Sequence, residues 1–357
     1  MPSRRKRILV LMHESLIPPE SLEGMSEEDA MAIKTEYDVC ATLENLGHTV
    51  QKLGVVSDLQ VIRQAIEDFK PHICFNLLEE FDGVGVFDAH VVSYLEMLRQ
   101  PYTGCNPRGL MLAHNKAVSK MILRHHRIRV PKFQVFPIGQ RFRPPGKGKL
   151  GYPMIVKSLT EEGSIGISQA SVVHDEDALR ERVAFIHRTI RSDAIAEQYI
   201  KGREFYVGVL GNQQLKTFPV WELTFKNLPD TAPKIATGKI KWDLKYRKQA
   251  GVDTGPPAPG SLTTEQTEAI QKLAKRAYKA LQLSGYARMD IRLSDKGALG
   301  NETPENSTPY ILEANPNPEL GFGEDFAEAG NAAGIDYSQL LQKLITLGIR
   351  YRLVGQV

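Results

Sequence analysis

The chain has 357 residues, 42% of them hydrophobic and 24% charged, and its 45 Lys and Arg against 42 Asp and Glu leave a formal charge of +3. That length exceeds one ordinary domain and predicts two or three lobes around a shared cleft, while the apolar content excludes a disordered chain. The basic residues are spread along the chain, which speaks against nucleic-acid binding, and three cysteines without CxxC spacing make neither a disulfide framework nor a four-ligand zinc site. No apolar run reaches the ~20 residues of a membrane span, so no membrane partner and a reducing, cytoplasmic setting are expected.

In chain order, the apolar run Ile8 to Met12 follows a basic start but stops at His13-Glu14, too soon for a signal peptide, and reads as a buried first strand. Glu36 to Leu46 has helical apolar spacing closed by Gly47, His72 to Asn76 reads as a strand, and Ala89 to Leu98 as a helix. This alternation predicts an open parallel sheet covered by helices over residues 1–115. A second lobe, 116–200, is predicted from a helix at Asn115 to His126, an extended segment from Pro131, a loop at Arg143 to Lys149, a strand Pro153 to Lys157, a glycine-bearing loop through Gly166, a helix Glu176 to Thr189 and a strand Ala194 to Ile200. The third, 201–357, opens with Gly202-Arg-Glu204 and strands Phe205 to Leu210 and Gln214 to Trp221 around Gly211-Asn212. After a Pro-, Gly- and Lys-rich stretch, 226–262, expected to be mostly loop, comes a helix over Thr263 to Leu283 with a Thr cap. The expected fold class is α/β, an N-terminal sheet followed by two α+β lobes.

Most of the chemistry sits in Tyr286 to Leu293 and Pro309 to Asn315, which both read as strands. Residues two apart on a strand face the same way, so Arg288 with Asp290 and Glu313 with Asn315 share one face if the strands are antiparallel neighbours joined by the polar loop 294–308. Two carboxylates and an amide oxygen suit Mg²⁺; a solvated hairpin with a charged face gives the same alternation. Lys157 closes an apolar strand and precedes a loop with Gly163, Ser164 and Gly166, whose backbone N–H groups and hydroxyl can turn towards phosphate. It lacks the Walker A order, and an ordinary hairpin turn is the alternative. Glu197-Gln198-Tyr199-Ile200 and Glu204 flank a hinge whose backbone can read adenine and whose carboxylate can accept ribose hydroxyls, unless they are two exposed glutamates beside a turn. His125 and His126 are adjacent on a helix and face different ways, Gly83-Val-Gly85 lacks the third glycine of a dinucleotide loop, and Trp221 and Trp242 read as packing or loop residues.

Taken in order, Asn115-Lys116, Ile155-Val-Lys157, Gly163-Ser-Ile-Gly166, Glu197 with Glu204, Lys245-Tyr246, Arg288-x-Asp290 and Leu312-Glu-Ala-Asn315 resemble the ATP-grasp superfamily. The D-alanine-D-alanine ligases are the closest likeness, with Leu98 to Gly104 and Ala332 to Leu340 included. The resemblance implies an ATP-grasp fold whose two α+β lobes sandwich ATP. It implies that Lys116 and Lys157 contact ATP phosphates under the Gly163, Ser164 and Gly166 loop, that Gln198, Tyr199 and Ile200 frame adenine beneath Glu197, and that Glu204 holds the ribose. Asp290, Glu313 and Asn315 would ligate two Mg²⁺, with Mn²⁺ able to replace them, and Arg288 would meet the transferring phosphate. Lys245 would approach the γ-phosphate from a mobile loop, with Tyr246 beside the amino-acid site. A carboxylate would attack the γ-phosphate and an amine would displace phosphate from the acyl phosphate. By analogy the resemblance also leans towards a homodimer.

The substrate segments depart from that family. His13 to Pro19 stands where a Gly-Gly turn and a substrate-binding Glu are usual, leaving Glu14 or Glu36 as stand-ins, and Asn76 to Gly83 replaces a His-Gly...Gly-Glu-Asp-Gly region. A serine pair is reduced to Ser164, and Glu319 follows Pro318 where glycine is usual. Carboxylates at Glu79, Glu80 and Glu319 point to an amine-bearing or cationic acceptor, unless each is a solvated surface residue. The substrate class is an amino acid, peptide or small amine; a ligase for a peptide or protein terminus and a non-catalytic ATP-binding protein are the competing readings.

Overall fold

The computed structural model describes residues 5–146, 148–229, 232–297 and 307–351. The chain begins with β1 (Arg7–His13), α1 (Glu27–Ala32), α2 (Lys34–Asn45), β2 (Thr49–Val55), α3 (Gln60–Phe69) and β3 (Ile73–Asn76). β1 lies between β2 and β3 in a parallel sheet, and its five residues Ile8 to Met12 are fully buried, as expected of a strand covered on both faces. The helices α4 (Asp88–Met97), α5 (Pro107–His114) and α6 (Lys116–His125) lead out of this sheet. α5 starts on Asn106, whose side chain accepts from Gly109 N–H, with Pro107 at the position where a missing N–H costs nothing.

The small lobe is an antiparallel sheet in the order β4-β7-β5-β6, made from β4 (Phe133–Phe136), β5 (Met154–Ser158), β6 (Val172–Val173) and β7 (Ala194–Gln198). α7 (Glu176–Phe185), extended by a π-helical turn over Ile186–Ile190, packs Leu179, Val183 and Ile186 onto Met154, Val156 and Ala196. This lobe therefore has a core of its own.

The large lobe contains β8 (Gly202–Leu210), β9 (Lys216–Thr217), β10 (Trp221–Phe225), α8 (Gly238–Trp242), α9 (Leu244–Ala250), β11 (Val252–Gly255), α10 (Thr264–Ala280), β12 (Tyr286–Gly297), β13 (Ser307–Pro316), α11 (Asp325–Ala332) and α12 (Tyr337–Arg350). Its sheet runs β11-β10-β8-β12-β13, with β9 on β8. Ala287, Met289, Ile291 and Leu293 of β12 and Phe205, Val207 and Val209 of β8 share a buried cluster with Ile270, Ala274 and Ala277 of α10, so one face of the sheet is committed to packing. The same cluster includes Leu9 and Leu11, while Ile8, Val10 and Met12 pack with Leu340, Leu344 and Ile345 of α12. The N-terminal sheet and the large lobe are thus joined through continuous apolar contact.

Most described residues of 226–262 lie outside helices and strands, as expected, but two short helices stand among them: α8 is capped by Thr237 and α9 by Asp243, and Gly251 closes α9 with φ of 59°. Such short helices leave little trace in composition. The expected strand Gln214 to Trp221 is instead the two-residue β9 and a separate β10, since Pro219, without an N–H, lies between them. The rings of His125 and His126 also meet edge-on, 5.4 Å apart, although the residues are adjacent on one helix. Most of the expected loop 294–308 and the side chain of Trp242 lie outside the described residues. No helix among the described residues is long and apolar enough to cross a membrane.

α12 can dock only because Gly348 has no side chain: a Cβ there would lie 2.2 Å from the Tyr102 carbonyl oxygen. Gly348→Ala is expected to lower stability by about 1–3 kcal/mol, the usual cost of overpacking, measured by chemical denaturation; unchanged stability would contradict this packing.

Candidate active site

The polar counterpart of the packed face lies on the same three strands. Across β8, β12 and β13 the register sets Arg292 opposite Glu204, Asp290 opposite Tyr206 and Glu313, and Arg288 opposite Asn315. Strand parity puts Arg288, Asp290 and Arg292 on one face because Met289 and Ile291 take the other. Arg288 donates Nε to Asp290 Oδ1 at 2.8 Å and Nη2 to Oδ2 at 3.0 Å, and its guanidinium lies 4.4 Å from the Tyr206 ring. Burial pushes the Asp290 carboxyl up to about 6 against the pull of Arg288, with Glu313 and Glu204 adding to the rise. Asn315 Nδ2 is buried without a hydrogen-bond partner. Crowded carboxylates fit a site that takes a hard divalent cation, and turning the Asn315 amide over would present its oxygen as a third ligand.

The register shifts between Asp290 and Ile291, because Glu313 and Ile311 face consecutive β12 residues and Leu312 faces none. Its freed carbonyl accepts from Lys120 Nζ. Lys120 also lies 3.0 Å from Glu197, whose other oxygen lies 3.3 Å from Lys157, all three being buried. Desolvation opposes the charge on Glu197, yet Lys120 and Lys157 hold its carboxyl below the ordinary range. Desolvation also lowers Lys120, whereas at Lys157 it is outweighed by Glu197, Glu313 and Glu204 together. Two lysines therefore share one buried carboxylate, with Glu313 acting on both from β13.

Lys116 donates to the Glu161 carbonyl at 2.7 Å and lies 3.8 Å from Glu313, so it joins the glycine-bearing loop to β13. In that loop Gly163, Ser164 and Gly166 all have positive φ, 64°, 60° and 72°. These left-handed residues turn the chain tightly, with Ile165 N–H donating to the Glu162 carbonyl at 3.2 Å and Ile167 N–H to the Ser164 carbonyl at 3.0 Å. Gly238 N–H donates to the Ile167 carbonyl at 3.0 Å, which couples α8 to the loop.

Gln198 N–H is bonded to Lys132 O at 2.8 Å and Tyr199 N–H to Pro153 O at 3.1 Å, while Ile200 is buried. Glu204 accepts from Arg292 at 2.6 Å and from the Tyr206 hydroxyl at 3.3 Å, and Arg292 also reaches the carbonyls of Gly202 and Lys234. Both Glu197 and Glu204 are buried, so neither is the exposed turn glutamate that the sequence left open. Lys245 stands exposed on α9, outside the buried lysine group, and Tyr246 is half-buried near Lys239. Lys120 and Arg292 escaped the sequence reading, although Lys120 sits four residues after Lys116 on one helix and Arg292 two after Asp290 on one strand.

On the substrate side, Glu14 is exposed whereas Glu36 is buried. Burial, and further Glu319, push Glu36 up to about 7. Glu79 presents exposed surface but sits in a crowded cleft, where desolvation, then Glu162, Glu319, Glu36 and Asp88, push it up to about 7. Glu319 accepts from Thr35 Oγ1 at 3.2 Å, and Glu80 lies 3.6 Å from His13.

Comparison with known proteins identifies a family. The family model described as D-ala D-ala ligase C-terminus matches residues 123–346, more than half of the chain. A D-alanine-D-alanine ligase of Desulforudis audaxviator is 30% identical over 325 residues, covering 91% of this chain and 95% of the relative. An uncharacterized protein, y4sG, of Sinorhizobium fredii is 30% identical over 276 residues, 77% of this chain and 74% of its own length. Among solved structures, the D-alanine-D-alanine ligase of Bacillus anthracis complexed with ATP superposes with a TM-score of 0.70 at 24% identity, covering 97% of this chain and 98% of that one. The chain belongs to the D-alanine-D-alanine ligase family and has its ATP-grasp fold.

Proposed function

We propose that this protein is an ATP-dependent ligase that joins a carboxylate to an amine through an acyl phosphate, releasing ADP and phosphate. The observation that carries the reading is the polar face shared by β12 and β13, where Arg288, Asp290, Glu313 and Asn315 lie together and Lys116 comes within 3.8 Å of Glu313. The ligase relatives and the ATP-complexed neighbour support it.

In this reading residues 1–115, 116–200 and 201–357 are three functional lobes around one cleft. Lys116, Lys157 and the loop of Gly163, Ser164 and Gly166 hold the triphosphate. Gln198, Tyr199 and Ile200 frame adenine beneath Glu197, and Glu204, oriented by Arg292 and Tyr206, holds the ribose. Asp290, Glu313 and Asn315 would hold two Mg²⁺, or Mn²⁺ in their place, which supply the Lewis acidity that draws charge from the γ-phosphate. Arg288 stabilises the phosphoryl group as the substrate carboxylate forms its O–P bond and the bond to ADP breaks. The amine then forms the C–N bond, loses a proton, and phosphate leaves with the acyl C–O bond broken. Water must be excluded meanwhile. Closing α8 and α9 over the glycine-bearing loop would do so and bring Lys245 to the γ-phosphate and Tyr246 to the amino-acid site.

The substrates are small amino acids, peptides or amines, and we place them outside the D-alanine pair. Glu36, Glu79 and Glu319 crowd the substrate side with carboxylates that a cationic amine would relieve. A site built for such a group rejects analogues lacking it by ~10⁴-fold.

Glu313→Gln is expected to cut substrate-dependent ADP release by at least ~10²-fold, the scale of one main electrostatic contact, with the circular dichroism spectrum unchanged; near-normal turnover would remove Glu313 from the site. For the ribose contact the variant of choice is Glu204→Gln, since Ala would strand the buried Arg292 at a cost of about 3–5 kcal/mol. Glu204→Gln should raise KM for ATP more than it lowers kcat, because a ribose contact is equal in ground and transition states; unchanged KM with reduced kcat would contradict the role. Finally, with ATP and Mg²⁺, an array of amino acids, peptides and amines should release more phosphate than D-alanine alone. D-Alanyl-D-alanine as the best product would defeat the altered specificity.

A further inference from the structure

His114, the last residue of α5, is only 8% exposed and has a carboxylate at each ring nitrogen. Nε2 lies 2.9 and 3.0 Å from the two oxygens of Asp88, the first residue of α4, and Nδ1 lies 3.0 Å from Glu162 in the glycine-bearing loop. A neutral imidazole has one N–H to donate, so two ionised carboxylates can both be satisfied only when both nitrogens are protonated; burial pushes the Asp88 carboxyl up, and its bond to His114 opposes that rise. Burial opposes the imidazolium charge, but the bonds to Asp88 and Glu162 raise the group to about 10.

The surroundings leave His114 as the cation between these acids. Glu79, from the segment after β3, adds negative charge to both Asp88 and Glu162. Lys116, two residues further on, is turned to the Glu161 carbonyl and Glu313 of β13. Consecutive residues of the glycine-bearing loop are therefore gripped from the α5–α6 junction, Glu161 through its carbonyl and Glu162 through its carboxylate. No step of the ligase chemistry uses His114.

We propose that His114 is a positioning residue that, as an imidazolium between Asp88 and Glu162, fixes the phosphate-binding loop to the N-terminal lobe and holds the nucleotide and substrate sides of the cleft in one geometry. The role of the loop rests on the ligase reading above; the anchoring does not. The folded state keeps a proton that the unfolded chain releases above 6.5, so the stabilisation is complete below 6.5 and is lost as pH rises through about 10.

The test combines ¹⁵N spectra of histidine-labelled protein, amide exchange over residues 161–168, and KM for ATP, in the wild type, His114→Gln and Glu162→Gln. His114 should have both ring nitrogens protonated at pH 8. Both variants should speed exchange in the loop and raise KM for ATP about tenfold or more, as expected for a lost charged hydrogen bond, and the wild-type KM should rise as pH passes about 10. Glu162→Gln changes a side chain that is 38% exposed, so it serves even if His114→Gln does not fold. A neutral His114 at pH 8, or loop exchange unchanged in the variants, overturns the proposal; spectra and exchange are read without substrate, so failure of the ligase reading alone is distinguishable.

Discussion

Everything at the candidate site depends on the register of β12 against β13. Side chains alternate along a strand, so a one-residue slip would send Asp290 into the core and Met289 into the cleft. That slip is opposed on the packed side, where Met289 and Ile291 are fully buried against α10, and on the polar side, where Arg288 and Asp290 share a bidentate pair. The bulge at Leu312 then spends one residue to free a carbonyl, and Lys120 takes it. Through that contact the sheet of the large lobe reaches α6, and through Glu197 and Lys157 it reaches the small lobe.

Charge explains why these lobes meet where they do. Buried lysines are costly unless paired, and Lys120 and Lys157 share a single glutamate. Across the cleft Asp290, Glu313 and Glu204 repel one another but each has a cation beside it, Arg288, Lys116 and Arg292, whereas Glu36, Glu79 and Glu319 crowd one another nearer the N-terminal sheet. A polyanion against the lysines, hard cations on β12 and β13 and an amine among the outer carboxylates would each lower the electrostatic energy of the folded protein.

The sequence made the polar strand face legible because period two survives any context: Arg288 and Asp290 alternate with residues that had to be core. The first strand was readable for its unbroken apolar run, and α10 for Thr263 and its cap, which the structure completes as a capping box with Gln266. α1 was not readable because it buries none of its residues and so has no apolar stripe, and the half-buried, mixed β2 gave no alternation. At the site, the lysine-glutamate group was hidden by distance in sequence, with Lys120 and Glu197 meeting only after β7 is laid beside β5. The anchoring of Glu204 by Arg292 was hidden for the same reason, since their register pairing joins residues 88 apart.

The central claim is that a carboxylate oxygen attacks phosphorus, and the fate of that oxygen tests it. When amine displaces phosphate from an acyl phosphate, the oxygen that bridged carbon and phosphorus leaves with phosphate. Turnover of the best substrate from the amine and amino-acid array, labelled with ¹⁸O in its carboxylate, should give inorganic phosphate carrying one ¹⁸O, read by ³¹P NMR. Unlabelled phosphate formed alongside ADP and the amide would contradict the account.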